Sequence, residues 1–124
     1  MTAQEQLELA KKHLVRVQAA WFEPKWDDLA LYGFYCLENA VAAAATHGKI
    51  SFKKTHPSKA DAARDLTKKF GLPDVEQLLK DLNEVRKSEA YGDITAPELD
   101  AEDVATDIED YVDAVEKFLN QPIS

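Results

Sequence analysis

Residues 29–45 read LALYGFYCLENAVAAAA, and in this run only Glu38 and Asn39 carry strongly polar side chains. A helix that is apolar around its whole circumference is stable only where protein or lipid covers it on all sides. Lipid is disfavoured, because a span needs about 17–25 apolar residues and a carboxylate near its middle would cost roughly 2–3 kcal/mol or more. The run therefore predicts the central helix of a protein bundle, from about Lys25 to His47, with Gly48 as its left-handed cap.

Working outward, every other clear periodicity is also helical, and no stretch alternates apolar and polar residues as a strand does. A first helix opens at Thr2, which stands at capping-box spacing from Glu5, and aligns Leu7, Ala10, Leu14, Val17 and Trp21. Pro24 breaks it. Beyond the central helix, Lys49 to Pro57 (KISFKKTHP) is the one long loop, and Ser58 caps a short third helix that ends at Phe70 before Gly71. A fourth helix starts near Pro73, turns Val75, Leu78, Leu79, Leu82 and Val85 inward, and ends near Tyr91 and Gly92. After a turn through Ile94, Thr95 and Pro97, a fifth places Val104, Ile108, Tyr111, Val115 and Phe118 on one stripe. These elements predict an all-α, five-helix antiparallel bundle formed by one domain over residues 1–124.

A chain of 124 residues that is 45% apolar, with only four Gly and five Pro, can bury a core and leaves no room for a second domain. Its single cysteine, Cys36, excludes an intrachain disulfide and a cysteine-rich zinc site. The opening MTAQEQLELAKKHL lacks the apolar centre of a signal peptide. A cytoplasmic protein is the expectation. Glycine-rich phosphate loops, GxSxG, HExxH, EF-hand and Cys/His zinc spacings are all missing, so no cofactor or metal is expected. Asp103, Asp107 and Asp110 form a single line of carboxylates, a pattern of solvated surface.

The net charge of -8 is unevenly spread. From Lys49 to Lys69, seven bases (Lys49, Lys53, Lys54, Lys59, Arg64, Lys68, Lys69) stand against two acids, Asp61 and Asp65, giving +5, while Glu89 to Glu116 holds eleven acids and no base. The basic stretch suits an anion or a complementary partner, or else is a solvated face. The acidic last helix is a candidate docking surface for a basic partner.

Two buried charges stand out. Glu38 lies among apolar neighbours on the central helix, and Arg86 sits on the shoulder of the fourth helix's apolar stripe. Poorly solvated groups of opposite charge satisfy one another best as an Arg–carboxylate pair, so the two are expected to be close. Such a pair either fixes helix register or presents Arg86 to phosphate at a cleft. Of the three histidines, His13 is expected at the surface and His47 at a helix C-terminus, where its charge would favour the dipole. His56 falls in the basic loop, where an imidazole would serve as a general acid or base on RNA or simply hydrogen-bond the turn. Trp21 and Trp26 read as core and staple residues.

The central YGFYCLENAVAAAATHGK, the following THPSKADAARDL and the later LLKDLNEVRKSEAYGD resemble the HEPN superfamily of small helical domains, over about Leu29 to Phe118. The resemblance implies a homodimer with arginine-bearing helices facing one groove, and Arg86 matches that arginine. Many family members look like metal-independent ribonucleases with an Arg-x4-6-His motif. Here the histidine is missing, since five, six and seven residues on from Arg86 stand Tyr91, Gly92 and Asp93. What remains implied is a non-catalytic RNA- or nucleotide-binding module related to toxin–antitoxin or phage-defence proteins. In it Arg86, paired with Glu38, contacts phosphate, Lys53, Lys54, Lys68 and Lys69 widen the field, and Tyr91 stacks or hydrogen-bonds nearby. A cognate antitoxin or nucleotidyltransferase is the implied protein partner. The alternative is a metal-independent endoribonuclease in which His56 takes the place of the missing histidine beside Arg86.

Overall fold

The computed structural model describes residues 1–22, 26–91 and 99–122, with the side chains of residues 21, 22, 26, 27 and 88–91 outside the description. The expected break at Pro24, the turn through Ile94, Thr95 and Pro97, and the roles given to Trp21 and Trp26 therefore lie outside the described residues. The remainder forms five helices: α1 (Ala3–Phe22), α2 (Trp26–His47), α3 (His56–Phe70), α4 (Glu76–Tyr91) and α5 (Ala101–Leu119). No strand occurs among the described residues, and the fold is all-α.

Helix α2 is the axle of the bundle and touches each of the other four, while α1 packs on α5 and α3 on α4. Its buried face runs through Leu29, Ala30, Phe34, Cys36, Leu37, Ala40 and Val41 to Ala45. The alanines keep this helix thin enough for neighbours on every side, while the larger side chains each contribute about 1.5–3 kcal/mol on burial. Gly33 makes room for α5, since a Cβ there would stand 2.7 Å from Ile108 Cδ1. The stripe Val104, Ile108, Tyr111, Val115 and Phe118 is buried as its spacing requires. No helix among the described residues is long and apolar enough to cross a membrane.

The helix ends show where local chemistry sets the frame. Thr2 and Glu5 form the reciprocal capping box, each backbone N–H donating to the other's side chain at 3.1 Å. Gly48 is not the left-handed residue after α2. That conformation belongs to Lys49 (φ 58°), and Ile50 N donates to Ala45 O at 2.9 Å while Lys49 N reaches Thr46 O at 3.4 Å. This is a Schellman closure with Lys49 in the position glycine usually takes. Gly48 is glycine for another reason: a Cβ would meet Phe70 Cε2 at 2.7 Å and Ala44 O at 3.2 Å. At the start of α3, Thr55 rather than Ser58 is the cap, accepting from Ser58 N at 3.3 Å, with Pro57 in the first turn. Ser58 Oγ instead accepts from Lys53 N at 2.7 Å and folds the preceding loop back. His56 thus belongs to the first turn of α3 and not to the loop.

Candidate functional site

The expected pairing of Glu38 with Arg86 does not occur. Glu38 is the buried acid it was expected to be, 5% exposed, but its partners come from α3. Its Oε2 accepts from His56 Nδ1 at 2.6 Å, and its Oε1 faces Lys59 Nζ at 3.6 Å. The geometry has a local cause. Starting α3 at His56 puts His56 and Lys59 three residues apart on one face, and that face crosses α2 at Glu38. A carboxylate only accepts, so His56 Nδ1 carries the hydrogen and Nε2 is left to act outward. Burial of the acid (side chain 7% exposed) and exposure of the base (45%) make the pair asymmetric, with Glu38 anchored and His56 presented.

Arg86 lies near this pair without touching it. Its guanidinium carbon stands 5.2 Å from the centroid of the Phe34 ring, and the His56 ring packs edge-on to the same phenyl at 5.0 Å. One aromatic ring of α2 therefore contacts both the imidazole of α3 and the guanidinium of α4. Arg86 Nη2 donates to Asn83 Oδ1 at 2.8 Å. Among the described residues its buried Nε finds no acceptor and no acid pairs with it. A cation resting on a ring face gains about 0.5–2 kcal/mol, which partly replaces the missing carboxylate.

Beside Phe34 a pocket of about 300 Å³ opens between α3 and α4. Phe34, Ala60 and Leu79 are its apolar floor, His56 and Pro57 form the α3 rim, and Gln77, Lys80, Asp81, Asn83 and Glu84 the α4 wall. Arg86 acts on this pocket through Asn83 and is not itself in the wall. Lys53 and Lys54 are exposed just before His56. Lys68 and Lys69 are exposed at the far end of α3, about 18 Å along the helix from His56. They extend a basic track and do not enter the pocket. The side chain of Tyr91 lies outside the described residues.

The other reactive groups are placed elsewhere. His13 is half-buried and not at the surface, with its ring 6.3 Å from Tyr32 and 5.7 Å from Tyr35. Burial, with Arg16 nearby, holds its pKa below the usual histidine value. His47 is the last residue of α2 and the basic residue of its final turn, as expected, while its Nε2 donates to Gln121 O at 2.7 Å and its ring packs on Phe118. Cys36 donates to Ala10 O at 3.2 Å, and burial pushes its thiol up to about 12, which makes it an inert core residue. Asp103, Asp107 and Asp110 are exposed, and the described residues hold no cluster of three or more potential metal ligands.

Sequence reasoning missed Lys59, Phe34, Asn83 and the α4 acids. The signal for the first was available: Thr55-His56-Pro57-Ser58 reads as cap, first turn, favoured proline and reciprocal serine, a helix start three residues earlier than Ser58. The chain matches no protein-family model and no curated protein.

Proposed function

We propose that this chain is a HEPN-like helical module that binds RNA or a nucleotide at the pocket between α3 and α4. One observation carries the reading: His56, held by buried Glu38, and Arg86, held by Asn83, converge on one phenyl ring beside an open pocket. Groups held by fixed hydrogen-bond partners keep their position when solvent or ligand changes, as a recognition site requires. Lys53 and Lys54, exposed just before His56, with Lys68 and Lys69 further along α3, supply the positive field a phosphate chain needs. In this reading the chain works as a homodimer among relatives of toxin–antitoxin or phage-defence proteins, with an antitoxin or nucleotidyltransferase as protein partner, in the cytoplasm.

Fluorescence anisotropy of labelled single-stranded RNA at increasing salt tests the proposal. Affinity falls linearly on a log–log plot, with a slope of a few phosphates, and Arg86→Ala weakens binding several-fold. Absence of any RNA or nucleotide binding at low salt removes the reading.

The 2.6 Å Glu38–His56 contact favours a second, enzymatic reading. An imidazole with its Nδ1–H fixed by a carboxylate presents Nε2 as a proton acceptor, the arrangement of a general base. A metal-independent endoribonuclease would use His56 to take the proton from a ribose 2′-hydroxyl, with Arg86 adding positive potential for the phosphate from behind Asn83. RNA cleavage in excess chelator, reduced about 100- to 10,000-fold by His56→Ala, is the expected result. Cleavage that survives this substitution, or that needs magnesium, rules the enzyme out.

A further inference from the structure

We infer that the pocket between α3 and α4 is a nucleobase subsite that selects guanine, an inference that rests on the nucleotide-binding reading above. The wall chemistry is wrong for phosphate. Asp81 and Glu84 line the pocket from α4; Lys80 stands on the same wall, but its ammonium is engaged by Glu76 Oε2 at 3.1 Å, so an anion seated between the two acids would be repelled. The same oxygens suit N–H donors, because a carboxylate accepts two parallel hydrogen bonds at once. Guanine offers such a pair along one edge, N1–H and the 2-amino group, with the acceptor O6 beside them.

The donor for O6 is also present. A guanidinium can only donate, so the 2.8 Å contact from Arg86 Nη2 identifies the engaged end of the Asn83 amide as its oxygen. The amino end, Nδ2, donates to no described residue, and Asn83 lines the pocket. Arg86 is therefore a positioning residue for the Asn83 amide. Of the two acids, Asp81 already accepts from the Gln77 amide at 3.0 Å, whereas among the described residues Glu84 is held only by an ion pair to Lys87 at 3.5 Å. Glu84 is the carboxylate assigned to N1–H and the 2-amino group.

Size and polarity agree with one base. About 300 Å³ is at the small end of ligand pockets, and Phe34, Ala60 and Leu79 give an apolar floor for the face of a flat ring. With the base against α4, the sugar and phosphate leave toward His56, Lys53 and Lys54 on the basic side. The pocket thus divides the ligand as its charges are divided, with amino groups toward acids and phosphate toward bases.

Calorimetric titration of the full chain with GMP, IMP, AMP and ribose 5-phosphate tests this assignment. GMP binds about tenfold or more tightly than IMP, which lacks the 2-amino group, and AMP, which lacks both N1–H and O6, binds more weakly still. Glu84→Gln erases the difference between GMP and IMP, and Asn83→Ala weakens the two alike. Equal affinity for GMP, IMP and AMP overturns the guanine subsite while leaving a nucleotide site in place. A preference for GMP that survives Glu84→Gln overturns the assignment of Glu84 and the subsite built on it. If none of the four ligands binds, the nucleotide reading fails and takes this inference with it.

Discussion

Cutting the contact between Glu38 and His56 measures directly how far the buried acid and the presented imidazole depend on each other. Glu38→Ala removes a 2.6 Å hydrogen bond to a buried carboxylate and leaves Lys59 facing nothing. Breaking a fully buried pair costs about 3–5 kcal/mol, but His56 is 45% exposed and water replaces part of what it loses. A hydrogen bond involving a charged group contributes about 1.5–3 kcal/mol, so a loss of about 2–3 kcal/mol is expected. With a denaturation slope of about 1.5–2 kcal/mol per molar urea, the unfolding midpoint falls by about 1–2 M. His56→Ala costs less, because Glu38 keeps Lys59. The decisive quantity is the coupling in the double-mutant cycle, expected at about 1–2 kcal/mol from urea curves followed by circular dichroism. If the two single costs add to within about 0.5 kcal/mol, as unconnected sites do, the pair contributes nothing and the reasoning about an anchored imidazole is wrong.

Four further outcomes follow from other parts of the bundle. Tyr111 is fully buried with a hydroxyl that has no partner among the described residues, so Tyr111→Phe raises stability by about 1 kcal/mol in the same urea assay, where an unsatisfied group would otherwise cost about 1–3 kcal/mol. Gly48→Ala drives a methyl into Phe70 and lowers stability by about 1–3 kcal/mol, whereas Lys49→Gly relieves a positive φ and raises it by about 0.5–1 kcal/mol. His13 has a pKa below its ordinary value when folded. The unfolded chain therefore binds its proton first, and the His13 contribution is complete above about pH 6.5 and lost as pH falls below it; thermal unfolding of His13→Leu shows a smaller drop between neutral and mildly acid pH than the parent does.

The bundle was legible because burial leaves a periodic trace. The stripe from Val104 to Phe118 and the apolar run around Leu37 need no partner to be identified, since each advertises its own inward face. Helix ends are less legible because several residues compete for each position. Thr55 and Ser58 are both good caps, and only the placement of Pro57 in the first turn separates them. That small shift decided the site. With α3 beginning at Ser58, His56 is a loop residue with no fixed direction, and Arg86 is the obvious counterion for Glu38. With α3 beginning at His56, the histidine and Lys59 share a face and take the acid. That Glu38 is buried could be read along the chain. Its choice of partner depended on the crossing of two helices, for which one sequence holds no periodic signal.

An acid inside a core has two explanations, and they differ in what replaces it. If Glu38, His56 and Lys59 serve only to fix α3 on α2, then a set of apolar residues of similar size does that task as well or better, since buried ion pairs often lose to hydrophobic packing by about 1–4 kcal/mol. Glu38→Leu combined with His56→Leu and Lys59→Met should then be at least as stable as the parent and retain whatever the pocket binds. If the acid is there to hold an imidazole at the rim, the same triple variant keeps or gains stability but loses nucleotide affinity, because the packing survives and the presented Nε2 does not. Urea denaturation and calorimetric titration of one variant separate the two. A triple variant that is stable and still binds with parental affinity would show that the cluster is only a fastening between helices, and would withdraw His56 from the site.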